Sequence, residues 1–91
     1  MQHRDELKKF YMQTLGEIIN SHRVNAKKSI YLVSAESCIA KSSWREIELA
    51  LRDDVNLSTF CKIAEGLNIA PHDLLKELSE KLGKKFSFAD L

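Results

Sequence analysis

Proline and glycine are scarce in this sequence. Its 91 residues include one proline and three glycines, the two residue types that most often interrupt helices. No run in the body of the chain alternates between apolar and polar residues as a half-buried strand does, and apolar residues instead recur at spacings of three and four. The sequence therefore predicts an all-α protein, with helices joined by short connections around one modest core.

Long apolar runs are also absent. No stretch approaches the roughly 18 apolar residues that a membrane-spanning helix needs, and charged side chains are frequent near the start of the chain. We therefore expect neither export nor membrane anchoring, and we expect a cytoplasmic location.

Cysteine and histidine are too few and too scattered for a disulfide framework or a metal site. Cys38 and Cys61 form no CxxC motif, so we expect both to be reduced core residues. His3, His22 and His72 fall on different predicted elements, without the spacing of zinc ligands. The sequence predicts no metal and no cofactor.

Neither a catalytic motif nor a charge bias is present. No nucleophile has a neighbouring base and no glycine-rich loop could hold a phosphate, so we do not expect an enzyme. Fourteen basic residues oppose thirteen acidic residues, which gives a net charge of +1. A nucleic-acid-binding domain often has a basic excess, so any electropositive surface here must come from the placement of individual charges.

Apolar stripes and capping residues define five predicted helices, which begin at residues 5, 29, 40 or 41, 56 and 71. Ser29 and Asn56 are expected N-caps, and Pro71 suits a first helical turn because it has no amide hydrogen to leave unpaired. The last helix is expected to end at Gly83. The predicted domain covers residues 1–83, and a tail follows over 84–91.

The C-terminal part of the chain carries more apolar side chains than one short helix needs. The stripe of helix five and the apolar residues of the tail are Leu74, Leu75, Leu78, Leu82, Phe86, Phe88 and Leu91. The tail is expected either to be disordered or to pair across a dimer. A homodimer through helix five and the tail is therefore a predicted assembly.

Residues 29–50 follow the pattern of a helix-turn-helix motif. Such a motif needs a positioning helix, a tight turn and a recognition helix, with small residues where the helices touch. Val33 anchors the first of these helices and Ile39 plugs the turn. Trp44 and Ile47 seat the recognition helix, and we expect both to be core residues.

The block from Leu57 to Leu75 extends this pattern. It contains an apolar helix with Lys-Ile-Ala, a short apolar turn, Pro71 and then Asp-Leu-Leu. Together with the motif before it, the chain from Leu15 to about Leu78 resembles the phage-repressor and Cro-like (Xre-type) helix-turn-helix family. The resemblance implies a five-helix, lambda-repressor-like domain that binds double-stranded DNA through helix three. It further implies a sequence-specific transcriptional regulator, which we expect to be a repressor.

The resemblance also implies roles for individual side chains. The residues that it assigns to DNA are Lys28, Ser29, Lys41, Ser42, Ser43, Arg45 and Glu46. Lysine can donate to guanine, serine can donate or accept, and glutamate can accept from cytosine, while Lys28 and Arg45 can neutralise phosphates. Arg23 and Glu48 would form a structural ion pair that ties helix one to helix three.

Several positions depart from the family pattern. Ile30 stands where a glutamine often holds a phosphate, Cys38 stands at the glycine of the turn, and Leu49 replaces a polar residue. Asp53 and Asp54 lie where basic residues often contact DNA, and two carboxylates there would repel a phosphate. The alternative prediction is therefore a protein-interaction module of the same fold, antitoxin-like or a regulatory partner, with weak or no DNA binding.

Overall fold

A computed structural model describes residues 2–91 of the chain, and within that range it contains five α-helices and no strand. The helices are α1 (Gln2–Asn25), α2 (Ile30–Ser37), α3 (Lys41–Glu48), α4 (Leu57–Gly66) and α5 (Pro71–Leu82), followed by a short 3-10 turn, Phe88–Asp90. The prediction of an all-α, five-helix domain is confirmed. None of the helices described is both long and apolar enough to cross a membrane.

The helix starts follow the local chemistry of the sequence. The Ser29 hydroxyl accepts a hydrogen bond from the Leu32 amide at 3.1 Å, and the Asn56 side chain accepts one from the Thr59 amide at 2.8 Å. Each bond satisfies an amide that the helix itself leaves without a partner. Pro71 begins α5 as expected. The first helix is longer than predicted, since it already includes Gln2 and continues to Asn25.

The turn between α2 and α3 takes three residues. Cys38 adopts a left-handed conformation, with φ 58° and ψ 40°, and its amide donates to the carbonyl of Ala35. Ile39 then packs against the core, as predicted for the turn residue. The expectation of a core residue is wrong for Cys38, which is exposed at this turn; Cys61 is half-buried and packs against the core. We refer to residues 29–48 as the α2–turn–α3 unit.

All five helices contribute to one core. Its fully buried side chains include Met12, Leu15, Ile19, Val33, Trp44, Ile47, Ile63, Leu74 and Leu78. Trp44 and Ile47 are each 1% exposed, so their prediction as core residues is confirmed. α1 packs against α3 and α5, and α2 packs against α3 and α4. At Gly16, α1 approaches α3 so closely that an added Cβ would lie 2.5 Å from the backbone oxygen of Glu48.

The C-terminal tail folds back on its own chain. The ring of Phe86 lies 6.1 Å from that of Phe10, and the ring of Phe88 meets Tyr11 edge-on at 5.5 Å. The sequence predicts a tail that is disordered or pairs across a dimer. Within this one chain, its aromatic side chains cover apolar surface on α1, and pairing with a second copy stays a prediction. Phe88 remains 49% exposed at the edge of that contact.

Candidate nucleic-acid interface

The first turns of α3 present polar side chains on the side away from the core. Lys41, Ser42 and Arg45 are exposed, whereas Trp44 and Ile47 on the other side of the helix are buried. The helical period of 3.6 residues explains this division. No carboxylate among the described residues forms an ion pair with Lys41 or Arg45. Both cations are therefore available to an anionic partner.

The other two predicted side chains of α3 are held by a neighbour in the chain. Arg52, in the loop after α3, pairs with Glu46 at 3.1 Å from Nε to Oε1 and donates from Nη2 to the Ser43 hydroxyl at 2.8 Å. Sequence reasoning missed Arg52, because a single arginine in a polar loop carries no pattern that points to a helix six residues earlier. Ser43 and Glu46 are both only partly exposed.

The two predicted DNA-binding residues just before α2, Lys28 and Ser29, differ in their availability. The ammonium of Lys28 pairs with Glu36 at 2.9 Å and lies 3.4 Å from the backbone oxygen of Gly66, and the side chain is only 17% exposed. Its charge is therefore largely balanced within the protein. Ser29 is exposed, and its oxygen accepts the capping bond from α2, so its hydrogen is still free to donate.

A buried cluster joins α1 to the end of α3. Glu48, whose side chain is 5% exposed, accepts from Arg23 Nε at 2.6 Å and from Arg23 Nη2 at 3.1 Å. It also accepts from Trp44 Nε1 at 2.6 Å and from Asn20 Nδ2 at 2.9 Å. We call these four residues the Glu48 cluster. The ion pair implied by the family resemblance is present, and Trp44 and Asn20 complete it.

The charges of the Glu48 cluster stabilise one another. Burial by itself would raise the pKa of Glu48, but hydrogen bonds from Arg23, Asn20 and Trp44, together with the positive charge of Arg23, outweigh it and lower that pKa. The hydrogen bond to Glu48 in turn raises the pKa of the Arg23 guanidinium. Arg23 also donates to the backbone oxygen of Lys28 at 2.9 Å. The cluster thus fixes α3 relative to α1 and to the segment before α2.

The two adjacent carboxylates of the loop after α3 have different environments. Both residues are exposed, but Asp54 accepts from the Tyr11 hydroxyl at 2.9 Å and from the Val55 amide at 2.8 Å, whereas no side-chain hydrogen bond joins Asp53 to another described residue. Burial, the hydrogen bond to Asp54 and the charge of Asp54 all raise the pKa of Tyr11. Asp54 therefore anchors the loop to α1.

The structure has a second surface of interest, which is apolar and lies outside the α2–turn–α3 unit. A groove of about 200 Å³ is bordered by α4, α5 and the tail. The side chains that line it are Tyr11, Val55, Leu57, Phe60, Leu75, Leu78 and Phe88. Leu57 is 75% exposed and Leu75 is 49% exposed. Apolar side chains so exposed and so grouped are typical of interaction surfaces.

No protein-family model, no curated protein and no solved structure matches the chain. The resemblance to phage repressors therefore rests on the sequence motifs alone.

Proposed function

We propose that the protein binds double-stranded DNA sequence-specifically through α3 and acts as a transcriptional regulator, most simply a repressor that occludes a promoter. One observation carries the proposal. The N-terminal half of α3 projects Lys41, Ser42 and Arg45 from a helix that Trp44 and Ile47 seat in the core. The sequence and spacing of the α2–turn–α3 unit resemble those of helix-turn-helix motifs, whose second helix enters the major groove.

The chemistry of these three side chains suits a DNA duplex. Lys41 can donate to guanine O6 and N7, and Ser42 can donate to or accept from a base edge. Arg45, one turn further along α3, can neutralise a phosphate or reach a base. Ser29 can add a hydrogen bond to the backbone from the start of α2. Because the Glu48 cluster fixes α3 on α1, these groups would meet DNA as a rigid set.

The proposed regulator would act as a homodimer. The apolar groove between α4, α5 and the tail exposes Leu57, Leu75 and Phe88, and a second copy of the chain would cover them. Twofold dimers of such domains bind two half-sites about one helical turn apart. The expected target is therefore a palindromic sequence.

Exposed apolar residues near α2 and α3 favour a second candidate function. Tyr31 is 71% exposed, Leu51 is 65% exposed, and Leu49 and Leu32 are exposed as well. Such side chains add little to a contact with phosphates, but they suit a protein partner. An antitoxin-like or regulatory interaction module is therefore the alternative to DNA binding.

Titration of labelled DNA fragments with the purified protein tests the proposal. The fragments should include the region upstream of its own gene, and fluorescence anisotropy should be measured at several salt concentrations. We expect log affinity to fall linearly with log salt, because bound cations on DNA are released. Lys41→Ala and Ser42→Ala should relax sequence preference, whereas Arg45→Ala should weaken binding evenly if it holds a phosphate. No binding at low salt, or affinity that does not change with salt, would reject DNA binding in favour of the alternative.

A further inference from the structure

Arg52 connects the loop after α3 to the face of α3 that we propose contacts DNA. Its guanidinium lies 3.1 Å from Glu46 and 2.8 Å from Ser43. Ser43 and Glu46 are three residues apart and so lie on adjacent turns of one helical face. The planar guanidinium spans both partners with separate nitrogen atoms, a geometry that a lysine ammonium does not reproduce.

The contribution of this contact to folding is small. The side chains of Arg52 and Glu46 are 39% and 43% exposed, and ion pairs at such positions add little stability because water screens them. The Glu48 cluster, by contrast, is buried and already fixes α3. We therefore expect the Arg52 contact to affect the surface of α3 and not the stability of the core.

The negative charge of Glu46 indicates what the Arg52 contact does at the surface of α3. Glu46 is on the same helix as Lys41 and Arg45, and an unpaired carboxylate there would repel DNA phosphates. Arg52 supplies the compensating charge, and its hydrogen bond also restrains the Ser43 hydroxyl. Ser43 and Glu46 then each have a partner in the chain, whereas no ion pair within the part of the chain that the structure describes holds Lys41 or Arg45.

We propose that Arg52 is a positioning residue that withdraws Ser43 and Glu46 from base reading, so that Lys41, Ser42 and Arg45 alone read the DNA sequence. This inference rests on the proposed function. It replaces the expectation from the sequence that Glu46 accepts a hydrogen bond from cytosine. It also explains how a recognition helix can carry a glutamate without losing affinity for a polyanion.

A double-mutant cycle tests the inference. Wild type, Arg52→Ala, Glu46→Gln and the double variant are each bound to a duplex library with a randomised core of about 20 base pairs, roughly two helical turns, and the bound fraction is sequenced. Arg52→Ala should lose affinity about tenfold, because Glu46 is left unneutralised. Glu46→Gln should keep the wild-type base preference. The double variant should bind within about twofold of Glu46→Gln, because no carboxylate then remains to be neutralised.

Two controls distinguish this positioning role from a direct phosphate contact by Arg52 and from a role in folding. Arg52→Lys should retain affinity, since lysine keeps the charge beside Glu46, but its base preference should change, because a lysine does not hold Ser43 as well. The circular dichroism of every variant should match that of the wild type. A direct phosphate contact by Arg52 would make the double variant as weak as Arg52→Ala and reduce the salt slope by about one. That result would overturn the inference, as would a Glu46→Gln variant that relaxes choice at one base position. If the wild type enriches no sequence, the proposed function and this inference both fail.

Discussion

Removing the positive partner of Glu48 should have a large and predictable effect on stability. In Arg23→Met, the 5% exposed carboxylate of Glu48 would keep its bonds to Trp44 and Asn20 but lose both bonds to the guanidinium. The backbone oxygen of Lys28 would lose its donor as well. Leaving one charge of a buried pair without its partner costs about 3–5 kcal/mol. A domain of this size has a free energy of unfolding of roughly 5–15 kcal/mol.

The loss should depend on pH in a defined direction. In the wild type the pKa of Glu48 is below its ordinary value, so its stabilising contribution is present above that ordinary value and disappears as pH falls through the lower, folded-state pKa. Without Arg23, the pKa of Glu48 should rise, because burial is then opposed only by the hydrogen bonds from Asn20 and Trp44. As the pH falls, protonation of Glu48 then removes the unpaired buried charge from the variant. The stability difference between the two proteins should therefore shrink from neutral pH toward about pH 4.

Urea unfolding monitored by tryptophan fluorescence can measure both effects, because Trp44 is the only tryptophan and is 1% exposed. Arg52→Met is the matched control, since its ion pair with Glu46 is solvent-exposed and its loss should cost less than about 1 kcal/mol. A similar loss in both variants would refute the reasoning. So would a loss for Arg23→Met that is the same at both pH values.

Two further predictions concern the backbone. Gly16→Ala should lower the free energy of unfolding by about 1–3 kcal/mol, because the new Cβ would push α1 away from Glu48; Ser21→Ala, exposed on the same helix, should change it by less than about 0.5 kcal/mol. Cys38→Gly should raise it by about 0.5–1 kcal/mol, since glycine avoids most of the left-handed strain at φ 58°. Urea titration measures all three, and a destabilised Cys38→Gly or an unchanged Gly16→Ala would contradict the packing described here.

Local signals in the sequence predicted the helices well. Capping at Ser29 and Asn56 and the start at Pro71 depend on groups within a few residues of each other, so the sequence contains the whole cause. The burial of Trp44 and Ile47 follows from helical periodicity in the same way. At Cys38, where the resemblance implies a glycine, the sequence left open a strained or a shifted turn, and the structure has a left-handed residue there.

The missed features all depend on tertiary contacts. Nothing near Arg52 in the sequence indicates that it returns to α3, and the pairing of Lys28 with Glu36 depends on how α2 begins. Asn20 joins the Glu48 cluster only because α1 and α3 approach closely at Gly16. The sequence therefore predicted the helix that carries most of the proposed DNA contacts. It did not predict which of those side chains are free and which are paired within the chain.

The most direct test of DNA binding through α3 compares two charge reversals that change the net charge equally. Arg45→Glu alters the exposed face of α3, and Lys62→Glu alters an exposed position on α4, outside the α2–turn–α3 unit. Each takes the net charge from +1 to −1, because a positive charge is replaced by a negative one. In an anisotropy titration with a fragment that the wild type binds, Arg45→Glu should lose affinity at least about tenfold and Lys62→Glu should stay within about twofold. Equal losses in the two variants would contradict the assignment of α3 as the DNA-reading helix.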